Sequence, residues 1–318
     1  MKHLFKTLIM SVLITALISM GGLAAAQSDV RLVAVSHGPD ADSFWTTVHN
    51  CLNLAAKDMN VDLEYRNPPT GDLADMARII EQSVASNPDG LIVTIADFDV
   101  LKGPISDAVK KGIPVISMNT GTVEQAKELG LIMHIGQSEY EAGFKSGQRA
   151  KEEGITSFLC VNHYIFAPPS VDRCQGFADG LGIELGDQMI DSGQDPSEIK
   201  NKVKAYMRTH PDTDAILTLG PQSAHPTIAA VEEMGMAGGK IFFATFDVSP
   251  QIIDAIKNDT IQFAIDQQPF LQGYLPVVFL ANYKRYGVMP AEDIISSGPG
   301  FITKENVGIV EEYAGEYR

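Results

Sequence analysis

Eight short apolar runs, each bounded by turn residues, constrain this chain more than any other feature. They are RLVAVS (31–36), DGLIVTI (89–95), IPVISM (113–118), LIMHIG (131–136), SFLCVN (157–162), DAILTLG (214–220), KIFFATF (240–246) and TIQFAID (260–266). Continuous apolar runs of this length suit strands buried on both faces of a parallel sheet. The segments between them carry helical periodicity. Residues 43–57 place Phe44, Val48, Cys51, Leu52 and Ala55 on one face, with Asp42 or Ser43 as N-cap, and residues 72–86 do the same with Leu73, Met76, Ile79, Ile80 and Val84. The alternation predicts an α/β fold built from βαβ units.

The plan is written twice. NPDGLIVTIAD (87–97) is echoed by HPDTDAILTLGPQ (210–222), where a helix ends, Pro-Asp turns the chain and a buried strand runs to a polar tip. About twenty residues later each half supplies a second unit, KKGIPVISMNTG (110–121) and AGGKIFFATFDVS (237–249), whose strands end in Asn119 and Asp247. Two similar α/β lobes are predicted, each presenting polar residues at the C-terminal ends of its strands, where open α/β sheets bind ligands.

The N-terminus, MKHLFKTLIMSVLITALISMGGLAAAQSD, has a basic start at Lys2 and Lys6, an apolar run and an Ala triplet ending at Ala26. That pattern predicts a signal peptide over residues 1–26 and an exported protein. Setting it aside removes two of the 24 basic residues and none of the 40 acids, so the remaining 292 residues carry a formal charge of −18. Their length suits about two domains, and so acidic a surface disfavours nucleic acid and anionic lipid as partners. Of the three cysteines, Cys51 reads as a small hydrophobe on a helix face, while a Cys160–Cys174 bridge is left open. No Cys/His spacing suggests a metal site, and no cofactor is called for.

The strand tips supply the chemistry. Asp247 closes FFATFD and reads either as an N-cap for the segment from Ser249-Pro250 or as an acceptor for paired ligand hydroxyls. Arg173 is expected in the first turn of a helix that begins after Pro168-Pro169, where a cation opposes the helix dipole unless something anionic or rich in hydroxyls lies nearby. Gln267 and Asn119 both donate and accept. Asp42 precedes Phe44-Trp45, the latter being the only tryptophan, and one helix face cannot bury two adjacent rings. Thr94, Asn162 and Gln222 are further polar residues at or near strand tips. His37, His163 and His225 also fall there and are expected to face solvent. No G-x-S-x-G, H-E-x-x-H or GxxxxGK[ST] motif appears, although Asp42 and Asp247 could be a carboxylate pair.

The export signal, Ser-Phe-Trp after the first strand, PDGLIV, GIPVI, R-x-x-GF at Arg173–Phe177, FATFD and FAIDQQP resemble, in order, the periplasmic sugar-binding proteins of the ribose/galactose type. The resemblance covers nearly the whole chain after the signal. It implies a type I periplasmic binding protein, two Rossmann-like lobes with parallel sheets joined by a three-strand hinge, closing on a monosaccharide for an ABC importer. On that resemblance the aromatic platform maps to Asp42-Ser43-Phe44-Trp45, the hydroxyl-binding arginine to Arg173, the aspartate to Asp247 and the glutamine before the final crossover to Gln267. Two positions depart from the family. Asn119-Thr120 stands where an Asp-Arg pair is usual, and Gly220-Pro221, with Gln222 close by, where Asn-Asp is usual. These changes imply a hydroxyl pattern other than ribose, such as a different pentose, a branched sugar or a polyol.

The resemblance implies a ligand set of Asp42, Phe44, Trp45, Asn119, Arg173, Asp247 and Gln267, with His37, Thr94, Asn162, His163 and Gln222 as weaker candidates. It also implies a monomeric periplasmic binding protein without catalytic activity, partnered by a permease with its ATPase and by a chemoreceptor. A furanosyl signal of the autoinducer-2 type is the alternative ligand. A secreted carbohydrate-active enzyme using Asp42 and Asp247 is a rival from another class, and the effector lobes of a LacI-type repressor, which share the fold, are a third. The lobes are expected at residues 28–133 plus 268–297 and 134–267 plus 298–318.

Overall fold

The computed structural model describes residues 28–318, so the expected signal peptide lies outside the described residues. The chain forms two six-stranded sheets with helices on both faces. The first sheet has the order β11-β5-β4-β3-β1-β2: β1 (Arg31–Val35), β2 (Asp62–Arg66), β3 (Gly90–Val93), β4 (Val115–Asn119), β5 (Met133–Gly136) and β11 (Ile294–Ser296). The second has the order β12-β10-β9-β8-β6-β7: β6 (Phe158–Asn162), β7 (Met189–Asp191), β8 (Ala215–Thr218), β9 (Phe242–Phe246), β10 (Phe263–Asp266) and β12 (Gly300–Thr303). Pairing is parallel throughout except between β10 and β12. The two orders match strand for strand, so β1 corresponds to β6, β3 to β8, β4 to β9 and β5 to β10.

Four apolar clusters hold this arrangement, one on each face of each sheet. In the first lobe, α1 (Ser43–Met59) and α10 (Pro269–Tyr286) cover one face through Val48, Leu52, Val277 and Leu280. There α2 (Leu73–Ala85) and α3 (Phe98–Lys110) cover the other through Met76, Ile80, Leu101 and Ile105. In the second lobe, α7 (Pro196–Thr209), α8 (Pro221–Glu233) and α9 (Pro250–Lys257) cover one face through Ile199, Val203, Val231 and Ile252. The opposite face packs on α5 (Glu139–Glu152) and α6 (Pro168–Leu181) through Ala142, Phe177 and Leu181. Of the remaining elements, α4 (Val123–Leu129) links β4 to β5 under a capping box made by Thr122 and Gln125.

The chain passes between the sheets three times, after β5, after β10 and between β11 and β12. Because β5 pairs in the first sheet through Gly136, the first passage follows Gly136 and not residue 133. All eight predicted strands are present. Four more, β2, β7, β11 and β12, lie at sheet edges and were not predicted, since half-buried edge strands carry no continuous apolar run. Among the described residues, no helix is long and apolar enough to cross a membrane.

Candidate ligand-binding site

The C-terminal strand ends of both sheets face one cavity of about 70 Å3, lined by residues of both lobes. That is well above the roughly 10–15 Å3 a cavity needs to admit a single water. From the first lobe come His37, Asp42, Phe44, Trp45, Asn119 and Thr120; from the second His163, Tyr164, Arg173, Gly220, Gln222 and Asp247; and Gln267 comes from the second passage.

Asp42 is the N-cap of α1, its Oδ1 accepting the Phe44 N–H at 2.9 Å, and the cap sets the two aromatic residues at the helix start. Phe44 and Trp45 are both buried, ring planes at 89° and centroids 5.3 Å apart. Both rings belong to the apolar cluster of the first lobe, with Val48 and Leu52, and both also line the cavity, so the helix start buries two adjacent rings that a single helix face was not expected to hold. His37 meets the Trp45 ring edge-on at 4.9 Å. Gly38 lies against the indole so closely that a Cβ there would sit 1.9 Å from Trp45 Cδ1, which only glycine avoids.

Arg173 is in the second turn of α6, not the first, and its charge is answered by a carboxylate that sequence reasoning did not single out. Glu139 Oε2 accepts from its Nε at 2.6 Å and Oε1 from its Nη2 at 3.0 Å. The Leu219 carbonyl accepts from Nη1 at 2.9 Å, and the guanidinium lies 4.2 Å from the Phe246 ring centroid. Three of its five N–H donors are thereby used, leaving two. Burial works against the Arg173 charge, but Glu139, Asp247 and Asp42 more than offset it and raise its pKa.

Asn119 and Asp247 sit at the ends of the matched strands β4 and β9, and Gln267 joins them. Asn119 Nδ2 donates to Gln267 Oε1 at 3.0 Å and to Gln272 Oε1 at 2.9 Å, while Gln267 Nε2 donates to Asp247 Oδ1 at 2.7 Å. Burial pushes the Asp247 carboxyl up to about 7, against the pull of Arg173 and the Gln267 hydrogen bond. Burial also raises Asp42. The same cause, helped by Arg173, depresses His37 to about 3 and His163 to about 4, so both imidazoles are neutral at pH 7. The Thr120 Oγ1 and His163 Nδ1 atoms are buried, border this cavity and lack a hydrogen-bond partner among the described residues.

The cavity omits two of the predicted residues. Thr94 is fully buried behind it, its hydroxyl accepting the His37 N–H at 3.1 Å and meeting His37 Nδ1 at 3.0 Å. Asn162 turns away and accepts the Tyr164 N–H at 2.9 Å. The other ten all border it. Ser249, not Asp247, caps α9, and among the described residues only Oδ1 of Asp247 accepts a hydrogen bond. His37 is buried rather than solvent-facing, and His225 is partly buried with Nε2 2.8 Å from Ser249 Oγ. A Cβ built on Gly220 would reach 3.5 Å from Asp247 Oδ2 and 3.7 Å from His163 Cε1, so this glycine leaves room in the cavity itself.

The Cys160–Cys174 bridge left open by the sequence is formed, joining β6 to α6 beside Arg173, and Cys51 is free and buried. Tyr164 and Glu139 were missed. Tyr164 shares the His163 tip, but nothing in the sequence distinguishes a first-turn glutamate that caps a helix from one that pairs with a buried arginine.

A 33% identical carbohydrate transporter structure from Acidothermus cellulolyticus, in complex with myo-inositol, superposes at a TM-score of 0.83 over 91% of this chain and 99% of that one. The xylose/arabinose-binding protein XylF of Sulfolobus acidocaldarius is 24% identical over 292 residues, 87% of this chain and 72% of the relative. The D-ribose/D-allose-binding protein of Pseudomonas aeruginosa is 26% identical over 210 residues, 62% of this chain and 63% of the relative. These relatives are binding and transport proteins, not enzymes, and the match to a family model described as a periplasmic binding protein domain runs over residues 33–287. The chain belongs to the periplasmic binding protein family, on the sugar-binding side that serves ABC transporters.

Proposed function

We propose that this protein is the exported solute receptor of an ABC importer, closing two lobes on a neutral ring rich in hydroxyl groups and presenting it to a permease. The observation that carries the reading is the inventory of groups left unspent around one cavity. Asp42 and Asp247 each keep a carboxylate oxygen, Arg173 keeps two N–H donors, and Thr120 and His163 keep unpaired polar atoms beside two aromatic rings. Carboxylates and a guanidinium read vicinal hydroxyls, while Phe44 and Trp45 cover the C–H face. Arg173 is the one Lys or Arg among the described residues that line the cavity, and Glu139 already matches its charge, so a phosphate or sugar acid would find no unpaired cation there.

The ligand contacts in this reading are Asp42, Phe44, Trp45, Asn119, Arg173, Asp247 and Gln267, with His37, His163 and Gln222 supporting. Myo-inositol in the 33% identical neighbour makes a cyclitol the first candidate, ahead of the pentoses and allose of the other relatives and of a furanosyl signal. The lobes are residues 28–136 plus 268–297 and 137–267 plus 298–318, hinged at the three passages. A thermal-shift screen against myo-inositol, D-xylose, L-arabinose, D-ribose and D-allose tests the proposal, with Trp45 fluorescence followed alongside. A ligand at 100 times its Kd should stabilise the fold by about 2.7 kcal/mol. No shift with any of the five would refute it.

A further inference from the structure

Helices α5 and α6 pack with their backbones touching. A Cβ on Gly143 would fall 2.3 Å from the Arg173 carbonyl oxygen, and one on Gly147 would fall 2.1 Å from that of Phe177. From the other helix, a Cβ on Gly176 would lie 2.2 Å from the Tyr140 oxygen and one on Gly180 2.2 Å from that of Phe144. Each glycine pair is spaced i, i+4, so each forms a smooth strip along one helix face. Glu139 lies one turn before Gly143 on the same strip, and the close crossing brings both of its carboxylate oxygens to the Nε/Nη2 edge of the Arg173 fork.

Glu139 is buried and does not border the cavity. It is also the first residue of α5, directly after the first passage between lobes. There Gln137 donates Nε2 to Glu139 Oε2 at 3.1 Å. Gln267, the matching residue of the second passage, donates in the same way to Asp247. Each of these two passages therefore starts with a buried glutamine that holds a carboxylate.

We infer that Glu139 is the positioning residue for Arg173. By taking the inner edge of the guanidinium it leaves two N–H groups facing the cavity, and through Gln137 it ties that orientation to the first passage between lobes. The pairing also protects the acceptors. A buried guanidinium released from Glu139 would seek the nearest carboxylates, Asp247 and Asp42, and would consume the oxygens that ligand hydroxyls need. An arginine fixed before binding also loses less side-chain entropy when the ligand arrives. The inference rests on Arg173 being a ligand contact.

The test is a double-mutant cycle read by calorimetric Kd, using whichever of the five probes above binds the wild-type chain most tightly. Glu139→Ala and Glu139→Gln are each made in the wild-type and Arg173→Ala backgrounds, with unliganded melting temperatures recorded for all. If Glu139→Ala does not fold, Glu139→Gln, which keeps the shape without the charge, carries the comparison. Either substitution should weaken binding by about tenfold or more when Arg173 is present. In the Arg173→Ala background the same substitution should change Kd by less than about twofold, because its effect passes through that side chain. A Glu139 effect of equal size in both backgrounds, or wild-type affinity in Glu139→Gln, overturns the inference while the reading of the cleft stands. Wild-type affinity in Arg173→Ala, or no binding of any probe to the wild-type chain, overturns both.

Discussion

Asn119 and Asp247 occupy matched strand ends in the two lobes and share a positive φ, 62° and 63°. Both are in the left-handed region, which asparagine and aspartate enter at less cost than most residues because their side chains hydrogen-bond locally. The turn lifts each side chain off its strand toward the cavity, and the single amide of Gln267 connects them.

The first prediction concerns protons at this junction. Asp247 is raised from 3.8 to about 7, and the groups facing it are Arg173, Gln267, Asp42 and Glu139. A carboxyl whose folded pKa lies above its unfolded value binds more protons folded than unfolded between pH 4 and 7. Its contribution to stability is therefore present below about pH 4 and is lost as pH rises through 7. The buried histidines oppose this below their unfolded value of 6.5, so the comparison is made against Asp247→Asn, where they cancel. The melting temperature of the unliganded wild-type chain, minus that of Asp247→Asn, should fall steadily from pH 5 to pH 8. A flat difference would contradict the buried carboxyl. Binding should show the opposite trend, tightening toward pH 8, since ligand hydroxyls donate to the ionised form.

What the sequence disclosed follows from where each residue sits. Central strands such as GLIV and FLCVN are buried on both faces, so burial writes a continuous apolar run that can be read directly. The edge strand DLEYR has one half-solvated face, and its Arg66 and Glu64 pair along the strand, so nothing apolar marks it. Tip residues were legible because a polar side chain ending a buried strand needs a reason. Thr94 and Asn162 met that criterion and still point away from the cavity, since a hydroxyl or amide at a tip can equally support a neighbour. Glu139 was invisible because its partner lies 34 residues away on another helix.

Gly220 sets part of the cavity volume. Its φ of 160° is extended and open to any residue, and the nearest atoms to an added Cβ are 3.5 Å and 3.7 Å away. Gly220→Ala should leave the unliganded stability within about 0.5 kcal/mol of wild type. The methyl group would nevertheless occupy space beside Asp247 Oδ2, so affinity for the probe should drop. Equal affinity in Gly220→Ala would place the ligand elsewhere in the cleft.

The Cys160–Cys174 bridge closes a loop of separation 14 and anchors the residue next to Arg173 to β6. Replacing both cysteines by serine should remove about 3 kcal/mol of stability by the loop-entropy relation for a loop of this size. Because Cys174 adjoins Arg173, the loss should be accompanied by weaker binding at temperatures where the variant is fully folded. Denaturant titration with and without the probe separates the two effects.

Tyr164 offers a direct measure of lobe closure. Its hydroxyl donates to the Gly71 carbonyl at 2.9 Å, crossing from the tip of β6 in the second lobe to the loop after β2 in the first. This bond joins the lobes away from the three passages, so it exists only while the lobes are together, whereas contacts within a lobe are indifferent to hinge angle. Removing it should shift the open–closed balance and leave each lobe's own stability unaltered. Tyr164→Phe keeps the ring and deletes the donor, and a neutral hydrogen bond contributes about 0.5–1.5 kcal/mol net. The expected result is a two- to tenfold or so rise in Kd with no change in unliganded melting temperature. If Tyr164→Phe instead lowered that temperature and left Kd alone, the contact would be a fixed strut between lobes, and closure would have to be held by the ligand contacts alone.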